Sequence, residues 1–506
     1  MLQKAKRLFL HVVALTFLVT ASAQQPSVVH SRIGQTDQSD DGSVRLTLLH
    51  KFQSFSTAER ETYDADVRSP KSVNIHPSGN KFYVNSLEGF KTVVYEMLTW
   101  RKLKVINHTF DDRHQSLWAP ASGLFPFTHY NAERRSLNNF NGKPVEGTFS
   151  HGGRYFWVPY YRRSYDINAQ DPSAMAVIDT RTDTIVRLFE TGPLPKMVAC
   201  SHDGRTIAVS HWGDNTVATL DISSDQPSDW HYTQLYTVDY RLRLDFPLDQ
   251  SVDRDNGSGY ALRGTVFSPD DRYLLVGCMG GSGGIAVVDL QEQQYLGRLL
   301  GMRANVRHLV VVGDTLYLSS NAAGVIQRKA LGELLDAARQ MQGKTATVGG
   351  WEECQVMSGA RTIELSPSGR FVFAACNGGS RLCVADTRLM RMVCSTAVDS
   401  YPVGLDISQD GAYVIVTSQG HSAAGGGNAV NIFSVEYAEP EVTQHPVEEP
   451  QPADTATADT TRQSQPATDA TPPFSLFGLT LPTLLLIVGG AALLIVLLVL
   501  LARKKS

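Results

Sequence analysis

The chain has 506 residues, 42% of them hydrophobic and 19% charged, with six cysteines and a formal charge of -4. So few cysteines exclude a disulfide-built scaffold, and a near-neutral balance excludes whole-surface attraction to nucleic acid or anionic lipid. The two termini contribute +3 each and residues 438–473 contribute -6, which leaves the body at -4, so any charged site must be local.

In chain order, residues 1–23 read as a secretory signal. Lys4, Lys6 and Arg7 precede the apolar run from Leu8 to Val19, and Ala21-Ser22-Ala23 offers a small-residue cleavage site. Val44 to His50 has strand character but belongs to no repeat. Self-similar segments follow: SPKSVNIHPSGNKFYVNS from Ser69, LPKMVACSHDGRTIAVSHWGDNTVATLDI from Leu194, LRGTVFSPDDRYLLVGC from Leu262, ARTIELSPSGRFVFAACNGGSRLCVADT from Ala360 and YPVGLDISQDGAYVIVTSQG from Tyr401. GTFSHGGRYFWVPYY from Gly147 and NVRHLVVVGDTLYLSSN from Asn305 are weaker copies. Each alternates with period two around a Ser-Pro-Asp-Gly-like turn, as successive antiparallel hairpins require.

Units of this size are propeller blades of ~40 to 45 residues. Units beginning near residues 69, 145, 194, 262, 305, 360 and 401 predict an all-β, seven-bladed β-propeller over residues 41–437. After Asn431-Ile432-Phe433-Ser434-Val435 the last unit lacks a fourth strand, so residues 44–52 are expected to pair with it and close the ring.

Within the body, Leu331–Gln342 reads as a short amphipathic helix inserted in the fifth unit. Cys383 and Cys394 either face each other across a hairpin centred near Arg388, which would permit a bridge, or remain buried thiols. Residues 438–473, rich in Pro, Thr and carboxylates, are too polar to fold and read as a disordered acidic linker. The apolar stretch 474–502 is long enough for one transmembrane helix, with Arg503-Lys504-Lys505 as a basic cytoplasmic tail. That topology places the propeller outside the cytoplasm, and the signal together with the repeat type gives the periplasmic side of a bacterial inner membrane as the expected location.

The repeats resemble those of YVTN-type β-propeller proteins, whose signature appears as Tyr83-Val84-Asn85-Ser86. Surface-layer, quinoprotein and haem-d nitrite reductase propellers are structural relatives of that type. The resemblance implies the fold; such propellers serve unrelated tasks.

In a propeller the first strands line the central channel. If they begin on the top face, the long insertions at 107–142, 159–173, 239–258 and 418–428 all lie on top as well, where sites are built. Lys71, Lys196, Arg263, Arg307 and Arg361 occupy equivalent positions at the start of five first strands, with Val145 and Val403 in the other two units. Five cations converging on one channel mouth would form a focused anion site. The alternative is that they pack their stems on neighbouring blades. A second candidate is the aromatic and basic segment of Trp157, Tyr160, Tyr161, Arg162, Arg163 and Tyr165, covered by an insertion carrying Trp118, Phe125, Phe127, His129 and Tyr130.

Asp179, Asp221, Asp289 and Asp386 recur at hairpin turns and read as backbone caps. There is no Cys-x-x-Cys-His, no histidine pair with metal spacing, no phosphate loop and no nucleophile elbow, so no catalytic residue, metal or cofactor is assigned. The composition and motifs point to a membrane-anchored binding or scaffolding module that presents its top face to an envelope protein, an anionic small molecule or a glycan. Nucleic acid is not expected. The alternative is an enzyme or redox protein, quinoprotein- or haem-like or lyase/lactonase-like, which rests on the resemblance alone.

Overall fold

The Ser-x-Asp-Gly turns form hairpins through local chemistry. In the turn at Ser268 the hydroxyl accepts the amide of Tyr273 at 2.9 Å and donates to Asp270 at 2.5 Å. The same pair of contacts recurs at Ser201, with Thr206 and Asp203, and at Ser408, with Tyr413 and Asp410. Gly204 and Gly411 supply the positive φ (70° and 71°) that these turns need. At the third-strand ends, Asp179, Asp221, Asp289 and Asp386 accept backbone amides two residues on at 2.7–3.0 Å. Their role is to cap turns.

The structure, a computed structural model, describes residues 28–129, 136–254, 256–420 and 427–439, with the pairs 475–476 and 479–480. Within residues 28–439 seven sheets form a seven-bladed β-propeller. Six first strands run Pro70–Ile75, Pro195–Cys200, Leu262–Phe267, Val306–Val312, Ala360–Leu365 and Pro402–Ile407. In the second blade the inner strand is split into Phe140–Pro144 and Thr148–Ser150, both paired with Tyr155–Arg163.

The ring is closed by the N-terminus. Val44–Gln53 pairs antiparallel with Ala429–Tyr437, Leu46 opposite Val435 and Leu48 opposite Phe433. Val44, Leu46 and Leu48 enter one core with Phe371, Phe373 and Leu382 of the sixth blade. The helix Leu331–Ala338 covers apolar surface of the fourth and fifth blades with Leu331, Leu334 and Leu335.

All six cysteines are free thiols, which excludes the Cys383–Cys394 bridge. Near the turn the register is the one sequence symmetry suggests, with Asp386 opposite Arg391. A bulge between Val384 and Ala385 then slips it by one residue, so Cys394 opposes Val384. One residue of slip moves a side chain to the other face. Cys383 packs in one interblade core and Cys394 in the next.

The signal at 1–23 lies outside the described residues, as does nearly all of the linker and of the span at 474–502. Of the span only Ser475–Leu476 and Leu479–Thr480, paired with each other, are described. Among the described residues no helix is long and apolar enough to cross a membrane.

Candidate functional site

The entry of each first strand has one construction. Two residues before the cation position the backbone is left-handed: Ser69, Leu194, Ala261, Asn305, Gly359 and Tyr401 have φ between 48° and 82°. In this conformation their carbonyls turn to accept the amide that follows the second strand of the same blade. Examples are Trp212 N to Leu194 O at 2.8 Å and Asn377 N to Gly359 O at 3.0 Å. A β-bulge follows at once. The register shifts between Pro70 and Ser72, Pro195 and Met197, Leu262 and Thr265, Val306 and His308, Ala360 and Ile363, and Pro402 and Gly404.

Lys71, Lys196, Arg263, Arg307 and Arg361 all fall within these bulges, as does Val403. A bulge re-aims its side chain and frees its carbonyl from the ladder. Those carbonyls are taken up by the preceding blade: Ser319 Oγ donates to Arg361 O at 2.5 Å, Ser210 Oγ to Arg263 O at 3.3 Å and Thr362 Oγ1 to Val403 O at 2.8 Å. The bulge thus stitches the ring and turns its side chain to the channel mouth.

Lys71, Lys196, Arg307 and Arg361 line one cavity of about 600 Å³ at that mouth. Arg263 is buried beside it, with Nη2 3.5 Å from Oε1 of Glu146. The residues that follow the second strands complete the rim. Asn321, Asn377 and Gln419 give an amide arc on the fifth to seventh blades, while Trp212 and Met279 give an apolar shelf on the third and fourth. Lys196 Nζ lies 3.9 Å from the Tyr161 ring centroid and 4.9 Å from that of Trp212, and Arg263 and Arg307 each lie 5.7 Å from Trp212. Burial, and then the charges of Arg361 and Arg263, lower the proton affinity of Lys71 well below the usual lysine range, against the pull of Glu146.

The described residues of the insertion at 239–258 form a strap across one side of the mouth. Arg254, 5% exposed, donates to the carbonyls of Asn168 (2.9 Å), Ala169 (3.2 Å) and Gly213 (2.7 Å), and its guanidinium lies 4.8 Å from the Phe246 ring centroid. Asn168 binds Pro247 O, Gln250 O and Val252 N, and Gln170 binds both the amide and the carbonyl of Phe246. Sequence reading missed Arg254, Trp212 and Glu146. The residue after each second strand forms a column as regular as the cations, and aligning that column would have found Trp212.

The aromatic and basic segment divides. Tyr161 and Arg162 line the cavity. Trp157, Tyr160 and Arg163 do not, because neighbouring side chains bury each of them. Trp157 packs on Phe189 and Trp230 and bonds Ser150 at 2.9 Å; Tyr160 bonds His108 at 2.9 Å. Arg163 is enclosed by the rings of Trp118, Phe127 and Phe140 at 4.8–5.0 Å and donates to Leu137 O and Ser173 O. Tyr165 donates to Leu137 O at 3.1 Å. The described part of insertion 107–142 is thus pinned by these groups: Phe125 enters the core and His129 lies 3.5 Å from Asp171, while Tyr130 is outside the described residues.

His108 and His211 are buried, which pushes both down to about 3, so they are neutral structural partners. His211 accepts the Gly192 amide at 3.1 Å and lies 2.8 Å from Thr216, whose hydroxyl donates to Asp214. With both ring nitrogens engaged, the imidazole cannot act as a base on this threonine. Among the described residues no group of three or more His, Cys, Asp or Glu is placed to hold a metal ion.

Deeper in the channel the polarity reverses. A second cavity of about 350 Å³ is lined by Glu146, His308, Glu364 and Asp406. Burial pushes Asp406 up to about 7, although it accepts the Ile75 amide at 2.6 Å, and burial with the Asp406 charge pushes Glu364 upward too. A carboxyl whose folded pKa is raised favours the native state most below its unfolded pKa, and that contribution fades as pH rises through about 7. Asp406→Asn is therefore expected to melt above the wild type at pH 8, with the gap closing by about pH 4. A gap independent of pH in thermal melts would contradict this assignment.

No protein-family model and no curated protein matches the chain. Similar solved structures include hydrazine synthase of Kuenenia stuttgartiensis, at 11% identity and a TM-score of 0.49, covering 73% of this chain and 96% of that one. The β-propeller domain of Myceliophteria thermophila Cps50 (Swd1) is similar at 12% identity and a TM-score of 0.48, covering 72% and 96%.

Proposed function

We propose that this protein is a YVTN-type propeller acting as an extracytoplasmic binding module, whose insertion-bearing face takes a small anionic ligand at the channel mouth. The observation that carries this reading is the set of bulge cations around one concave site, backed by a ring shelf and an amide arc. Arg supplies paired donors for carboxylate or phosphate, and the low-dielectric walls strengthen each contact. Concavity favours a small anion over an envelope protein as the occupant. Lys71, Arg263 and Arg361 are 3–6% exposed and lie where a flat partner surface would not reach them. The apolar segment at 474–502 and the acidic linker would tether this module to the periplasmic side of an inner membrane.

Calorimetric titration of the full chain with citrate at low salt tests the site. One equivalent is expected to bind, and Arg307→Glu or Arg361→Glu should weaken it on the order of tenfold to a hundredfold, as loss of a charge-assisted hydrogen bond implies. Affinity should also fall with added salt. No binding, or identical isotherms for the charge-reversed chains, would remove the reading. A visible absorption band or a stoichiometric metal in the purified protein would favour the enzyme or redox alternative.

A further inference from the structure

The five bulge cations differ in their surroundings. Lys196 rests on the rings of Tyr161 and Trp212, and Arg263 leans on Glu146. Lys71, 4% exposed, lines the mouth cavity with Lys196, Arg307 and Arg361 and with the carboxylates Glu88 and Asp253, and burial with the charges of Arg361 and Arg263 outweighs the pull of Glu146 on its proton. Its backbone is fixed on both sides: Pro70 precedes it within the bulge, and its carbonyl is reached by Thr417 Oγ1 of the last blade at 3.4 Å. A primary amine buried in a cavity beside other cations sheds its proton more readily than an exposed one, and its nitrogen lone pair can then act as a nucleophile. The same cations attract carboxylates into the same cavity.

We propose that Lys71 is a nucleophilic amine that forms a reversible imine with small carboxylates carrying an aldehyde or ketone, the carboxylate being held by the mouth arginines. This rests on the reading of the mouth as an anion site and names the ligand class. The Lys71 nitrogen adds to the carbonyl carbon, the C=O π pair moves to oxygen, and one proton passes from nitrogen to that oxygen to give a carbinolamine. Its hydroxyl then leaves with the second nitrogen proton as water, and the imine C=N forms. Hydrolysis runs the same steps backward, so no oxidant or further reactant is needed. The depressed proton affinity of Lys71 favours the neutral amine from which the first step begins.

Pyruvate and lactate separate the two layers of the proposal, because both carry the carboxylate and only pyruvate carries the carbonyl. The full chain is incubated with pyruvate and cyanoborohydride, which reduces an imine to a stable secondary amine, and the adduct is mapped by peptide mass spectrometry. Labelling at Lys71 is expected to exceed that at the exposed Lys104 and Lys344 on the order of tenfold or more, and saturating lactate should suppress it. Calorimetry should show pyruvate binding tighter than lactate, and Lys71→Arg should bring the two affinities together. Lactate binding without preferential labelling of Lys71 would overturn the imine and leave the anion site standing. Failure of both anions to bind would overturn the anion site and the imine with it.

Discussion

Replacing Leu46 and Leu48 together by alanine is expected to destabilise the propeller by about 6 kcal/mol, roughly 3 for each buried leucine. Both side chains are 0% exposed and sit between the last blade and the sixth, so the cavities they leave cannot collapse without moving two sheets. Natural domains hold only about 5–15 kcal/mol in total, so the variant should unfold at markedly lower urea. Leu49 is the internal control. It falls at the bulge between Leu48 and His50, is 38% exposed, and its replacement by alanine should change stability by less than about 0.5 kcal/mol. Equal effects of the double and control substitutions in urea titrations would mean that this strand does not hold the ring shut.

The second large effect is expected at Arg254. Arg254→Ala removes hydrogen bonds from a buried cation to three carbonyls at once. At roughly 1.5 kcal/mol or more for each such bond, about 4 kcal/mol of local stability is at stake, or on the order of a thousandfold in the opening equilibrium of the strap. Hydrogen exchange reports it at the amide of Val252, held by Asn168 Oδ1 at 3.0 Å, and at Leu242, held by Asp214 O at 3.0 Å. Both should lose protection while Ala218, within the third blade, keeps it. Ser251, Val252 and Asp253 line the mouth cavity, so citrate should also bind less tightly. Unchanged exchange at Val252 would show that the strap is held by Asn168 and Gln170 without the arginine.

What the sequence made legible was local in origin. The Ser-x-Asp-Gly turn is built from a hydroxyl accepting an amide five residues on, so its residues must recur wherever the hairpin recurs. The bulge cations form a readable column for the same reason, since each is placed by the left-handed residue two positions before it. Strand 44–52 was legible by default, as the one alternating segment without a repeat when the last blade lacked a strand.

The rest was non-local. Trp157 and Arg163 look like ligand groups in a list of residues, yet Phe189 and Trp230 cover the first, Trp118, Phe127 and Phe140 of insertion 107–142 enclose the second, and both become core. The face of Cys394 depends on a bulge at Val393, and nothing in the spacing of the cysteines announces a one-residue slip. Trp212, Glu146 and Arg254 come from the third blade, the second blade and a separate insertion, and only ring closure brings them to the cations.

The sequence by itself therefore determined the blade, its turns, the count of seven and the chemical identity of the five bulge residues, because each depends on contacts within a few residues. Only the tertiary structure decided which of those cations share a cavity, which aromatics face it, and that Lys71 is buried within reach of the charges of Arg361, Arg263 and Lys196. Those properties depend on burial and on distances between blades, which the order of residues along the chain does not encode locally.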